Sequence, residues 1–111
     1  MAKLERNLTG DFDRVLSRLV DGVLNGSMSA SLEDSSDFTM GDTRVAVRMF
    51  ERYSWSGNNR VAMSLTLAGC GGRLHLTAIT AGGSQAMFFK INTWGEEAFL
   101  DTLVQVLDEL K

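Results

Sequence analysis

Between Ser27 and Ala81 the apolar residues return at every second position, whereas before and after that stretch they return at every third and fourth. Side chains alternate between the two faces of a strand and share one face of a helix at spacings of three and four. A chain with this pattern therefore folds as a run of strands with an amphipathic helix on each side. Phe12, Val15, Leu16, Leu19, Val20, Val23 and Leu24 form one unbroken helical stripe. Thr9 and Asp11 offer capping oxygens before it, and Asn25 and Gly26, which both tolerate a left-handed backbone, stop it. A second stripe, Phe99, Leu100, Leu103, Val106, Leu107 and Leu110, marks the closing helix. Thr93 and Glu96 have the spacing of a capping box at its start.

The strands follow from the same reading. Lys3 to Thr9 reads as an edge strand. In Ser27 to Asp34, Met28, Ala30 and Leu32 alternate with polar neighbours, and the polar segment Ser35 to Asp42 is expected to turn the chain. In the next strand Val45, Val47, Met49 and Tyr53 are expected on the inner face, with Arg44, Ala46, Arg48, Phe50 and Arg52 outward. Ser54 to Asn59 is a loop by composition. The following strand turns Val61, Met63, Leu65 and Leu67 inward, and a tight Gly-rich connection leads to one that buries Leu74, Leu76 and Ala78. Gly82 and Gly83 end that strand or bulge it, and Ala86 to Ile91 is expected as a further extended piece. The fold class is α+β: an antiparallel meander of four to five strands with two helices on one face, in the order β-α-β-β-β-β-α. TATA-box-binding-protein-like and helix-grip folds share this order, which is an analogy of architecture and not of function.

At 111 residues the chain is expected to be one domain, 1–111. No apolar run approaches the ~20 residues of a membrane span, and Met1 to Gly10 lacks the apolar core of a secretory signal, so a cytoplasmic location is expected. Cys70 is the sole cysteine, which excludes an intramolecular disulfide and a cysteine-built metal cluster. The charge, −3 in total, is uneven: Arg44, Arg48, Arg52, Arg60 and Arg73 stand against Glu51 in the centre, and acids crowd the last helix.

Two helices can cover one face of such a sheet, which leaves the other wet. On the expected strand parities that face gathers Arg44, Arg48, Phe50, Arg52, Arg60, Arg73 and His75. Guanidinium forks suit carboxylates and phosphates, so the leading expectation is a non-enzymatic binding or interaction module, a homo-oligomer, that uses this face. The plain alternative is a solvated face whose arginines pair across strands with Glu33 or Glu51. A homodimer, an anionic small molecule or a protein is the expected partner. Nucleic acid is not, because the chain is acidic and carries no RNA-recognition consensus, and neither is a membrane. Ser84 and Gln85, in an exposed Gly-Gly-Ser-Gln turn, are loop candidates, although the turn fails the phosphate-loop pattern. A second function would place an apolar or anionic ligand in a pocket between sheet and closing helix, and a third is an enzyme using His75. No catalytic constellation, metal site or cofactor is expected, since His75 is the single histidine and no third group activates Cys70.

The strings SASLEDSSDF, VRMFERYS and AITAGGSQAMFFKINTWGEEAFL resemble a family of small bacterial proteins, domain of unknown function 6054, over nearly the whole chain. The resemblance implies a bacterial protein and brings no activity or catalytic residues with it.

Overall fold

A computed structural model describes residues 2–26, 29–53, 60–82 and 89–110, the last of these by backbone alone over 89–98. The elements run β1 (Ala2–Thr9), α1 (Phe12–Asn25), β2 (Ser31–Met40), β3 (Thr43–Tyr53), β4 (Arg60–Cys70), β5 (Arg73–Gly82) and α2 (Phe89–Glu109). The five strands form one antiparallel sheet in the order β1-β5-β4-β3-β2, so β2 to β5 are a meander and β1 joins its far side beside β5. This is the α+β architecture that the two periodicities predict.

Both helices lie on one face, α2 against β1, β5 and β4. The core between the layers holds Val61, Met63, Leu65 and Leu67 of β4, Leu74, Leu76 and Ala78 of β5, Leu19 and Val23 of α1, and Phe99 and Leu103 of α2. These are the β4 and β5 faces that the alternation marks as inward. The β4–β5 turn, Gly71-Gly72, has positive φ at both residues (57° and 81°), the conformation whose twist matches a two-residue hairpin.

α1 starts where its cap predicts, with the Arg14 backbone N–H donating to Asp11 Oδ2 at 3.0 Å. Its end differs from expectation. Gly26 keeps a right-handed backbone, φ −79°, and donates its N–H to the Gly22 carbonyl at 2.9 Å. What demands glycine there is space, since a Cβ on Gly26 would press on the Thr102 side chain and one on Gly22 would overlap a Val106 methyl. The two glycines, four residues apart on one face of α1, let α2 approach closely. Gly22→Ala gains helix propensity of up to ~1 kcal/mol but forces a β-branched side chain out of place, which costs about 1–3 kcal/mol. The expected result is a net loss of stability in chemical denaturation, recovered in the double variant Gly22→Ala, Val106→Ala relative to Val106→Ala alone.

Three further expectations are corrected. β2 does not end before Ser35: it runs to Met40, and the turn is Gly41-Asp42, with Gly41 at φ 59°. Pairing along nearly the whole of β3 outweighs the local polarity, which suits a strand wet on both faces. A register shift at Glu33 also breaks the alternation counted from Leu32. In the last segment Phe89 to Ile91 is helical, so the described part of the expected extended piece is the start of α2, and Thr93 lies inside that helix. A capping signal permits a start without enforcing one, because each residue added to an existing helix gains a hydrogen bond without a new nucleation step. The third correction concerns β3.

Candidate functional site

The ladder between β3 and β4 fixes which side chains share a face. Arg44, Ala46, Arg48, Phe50 and Arg52 stand opposite Gly69, Leu67, Leu65, Met63 and Val61, the inward residues of β4. They therefore lie on the helix-covered side, the reverse of the assignment that the valines of β3 suggest. Phe50 is fully buried, and so is Ala46. Both parities of β3 carry apolar residues, and a count favours Val45, Val47 and Met49. β3, however, stands at the margin of the helix layer, where Phe50 and Ala46 fill the core and arginine stems cover what remains.

Each of these arginines closes that margin. Arg44 meets Asp13 of α1 at 2.8 Å and lies over the Phe12 ring, 4.3 Å from its centroid. Arg48, with its side chain only 15% exposed, reaches Asp37 of β2 at 3.0 Å and donates to the Val47 carbonyl at 2.9 Å. Arg52 stands 5.5 Å from the centroid of Phe99 in α2. The Arg44 hydrogen bond holds the Asp13 carboxyl below its ordinary value of 3.8, and Lys3, followed by His75, does the same for Glu5 from 4.5. A carboxyl depressed in the folded state stabilises it above the unfolded value and ceases to do so as pH falls through the folded one. The unfolding midpoint of Arg44→Ala is thus expected to fall less than that of the native protein when pH is lowered from about 5 to about 2 in thermal melts. An equal fall in both would remove this role from Arg44.

Arg60, Arg73 and His75 do lie on the uncovered face, but at its two ends. Arg60 donates from Nε to the Tyr53 hydroxyl at 2.9 Å, and Glu51 is 3.5 Å away. At the opposite end Arg73 and His75 share with Asn7, Thr9 and Cys70 the lining of a shallow depression of about 530 Å³. His75 Nδ1 is 2.8 Å from Asn7 Oδ1, and Nε2 is 3.3 Å from Glu5 Oε2. A neutral imidazole donates to one of these oxygens and a protonated one to both, so this ring clips β5 to β1. The expected basic cluster is thereby divided among three places, and Ser84 and Gln85 lie outside the described residues.

What occupies the middle of the uncovered face is apolar. The registers set Val45, Val47 and Met49 of β3 between Phe38, Ser36 and Asp34 of β2 and Ala68, Thr66 and Ser64 of β4. Beyond β4, Ile79 of β5 lies in the row of Met49 and Lys3. Five of the six large apolar residues exposed among the described ones, Phe38, Met40, Met49, Tyr53 and Ile79, belong to this face. The signal for it was present in the sequence as the second apolar parity of β3. Strand spacing and rise give a face of about 24 by 33 Å, or roughly 800 Å².

Two further surfaces adjoin it. β2 is exposed at every residue, and among the described strands it pairs with β3 alone. On the helix side, an open cleft of about 600 Å³ runs between β1, α1 and the end of α2, with Leu8, Val15 and Leu107 among its lining and Arg6, Arg14 and Arg18 at its rim. No described helix is long and apolar enough to cross a membrane.

The chain belongs to a family of unknown function, DUF6054, whose match covers residues 1–111. No curated protein matches it.

Proposed function

We propose that this member of the family is a protein-interaction module that dimerises with a second copy of itself through the uncovered face of its sheet. The observation that carries the reading is the gathering of Phe38, Met40, Met49 and Ile79, each more than a third exposed, around Val45 and Val47 on one side of a sheet whose other side the helices cover. Scattered exposed apolar residues need no account, whereas their gathering on one face of a sheet marks an interface. The outline of the whole uncovered face, roughly 800 Å² from strand spacing and rise, is large enough for a standard stable interface.

A second copy fits the chemistry of the face as well as its size. A two-fold axis parallel to the strands lays β1 and β5 of one protomer over β2 and β3 of the other, an isologous contact. Lys3, Ile79, Ser64, Met49 and Asp34 occupy one row of the sheet. In this arrangement Lys3 faces Asp34 across the interface, Ile79 faces Met49, and the small side chains of β4 lie near the axis. The interface has an apolar centre and a charged rim. Sedimentation velocity across a range of concentrations tests the reading: a dimer that dissociates on dilution supports it, and a monomer at all concentrations overturns it.

A further inference from the structure

The outer edge of β2 differs from the rest of the sheet in chemistry. All ten residues of β2 are exposed, and among the described residues no strand pairs with its outer edge. Such an edge is a template for another chain unless something blocks it. Here the charge pattern blocks one class of partner and invites another. Glu33, Asp34, Asp37 and Asp42 fall within or beside β2, while Ser27 to Asp42 contains no Lys or Arg. Arg48 meets Asp37 at 3.0 Å and leaves the aspartate side chain 51% exposed, and the Asp34 carboxylate accepts from the Ser35 backbone N–H at 2.8 Å while staying exposed. Two β2 strands paired edge to edge would set these carboxylates against one another at about 5 Å, which disfavours self-association. A basic strand meets the opposite condition.

We propose that β2 accepts, as a sixth antiparallel strand, an extended segment of a partner protein with the pattern apolar-basic-x-x-basic. The spacing comes from β2 itself. A partner strand running antiparallel places its apolar residue beside Phe38, its first basic residue beside Asp37 and its second beside Asp34, and directly opposed side chains in such pairs are close enough to interact. Backbone pairing supplies the affinity and the two charges set the register, the division of labour in strand addition to a sheet edge. The bulge at Glu33 limits pairing to the stretch from Asp34 to Met40. This site overlaps the proposed dimer face at the Phe38 and Asp34 side chains, but its backbone pairing uses the hydrogen-bonding edge of β2, which the dimer leaves open.

The test uses the full chain and a fluorescein-labelled peptide, acetyl-Val-Thr-Val-Lys-Thr-Thr-Lys-Val-amide, read by fluorescence anisotropy, with hydrogen exchange of the β2 amides as a second measurement. Binding with slowed exchange at β2 is expected. Replacing both peptide lysines by glutamate should weaken it at least tenfold, and so should N-methylation of alternate peptide nitrogens, which keeps the charge and removes the pairing. Asp34→Lys should weaken the lysine peptide and strengthen the glutamate one. Val47→Asp, which disrupts the proposed dimer face and lies off the β2 edge, should not weaken peptide binding, so the two readings fail separately. No binding at millimolar peptide, equal binding of the N-methylated peptide, or protection elsewhere than β2 would each overturn the proposal.

Discussion

Phe50→Ala is expected to lower the unfolding free energy by about 3–5 kcal/mol, enough to remove much of the stability of a domain this size. Phe50 is fully buried, opposite Met63 and among the β4 residues that support both helices. Truncation leaves a cavity at the margin of the layer, where β3 has only Ala46 and arginine stems with which to refill it. The contrast is Phe38→Ala, one strand away on the uncovered face and 44% exposed, which should cost no more than about 1 kcal/mol in the monomer. Denaturant titration of both variants reads the two faces of the sheet independently. Equal costs would mean that the parity of β3 is not the one its ladder with β4 defines.

The second large effect is on association. Val47→Asp is expected to weaken the dimer by about 2–4 kcal/mol, roughly 30- to 700-fold in Kd, with the fold intact. Val47 lies in the middle of the apolar patch, in the row of Ser36 and Thr66, and on a two-fold interface each substitution enters twice. A carboxylate there would lose its water on dimerisation without gaining a counter-ion. In the monomer the same side chain is only half-buried, so circular dichroism and the thermal midpoint at low concentration should change little. Arg60→Ala, at the end of the face and already engaged with Tyr53 and Glu51, should leave the dimer within a few-fold of native.

The residues themselves explain why some of this was legible in the sequence. The α1 stripe and the inward sets of β4 and β5 are unambiguous, because one parity or one helical face holds nearly all the apolar side chains. β3 has two apolar parities, and choosing between them requires the register: Phe50 opposite Met63 and Ala46 opposite Leu67 settle the matter, and no local pattern contains that information. Of the five central arginines, Arg60 and Arg73 lie on the expected face, and Arg44, Arg48 and Arg52 lie on the other. Arg44, Arg48 and Arg52 reach Asp13, Asp37 and Phe99, partners distant in sequence or on other elements. The extent of β2 was hidden for a related reason. A strand wet on both faces need not alternate, and Ser35 to Met40 is held extended by β3.

The central claim is that the uncovered, apolar face of the sheet is the surface by which this protein associates. Sedimentation velocity of the native chain beside Val47→Asp, at matched concentrations, tests it most directly. The account predicts a native dimer and a folded monomeric variant. Identical sedimentation of the two would contradict it.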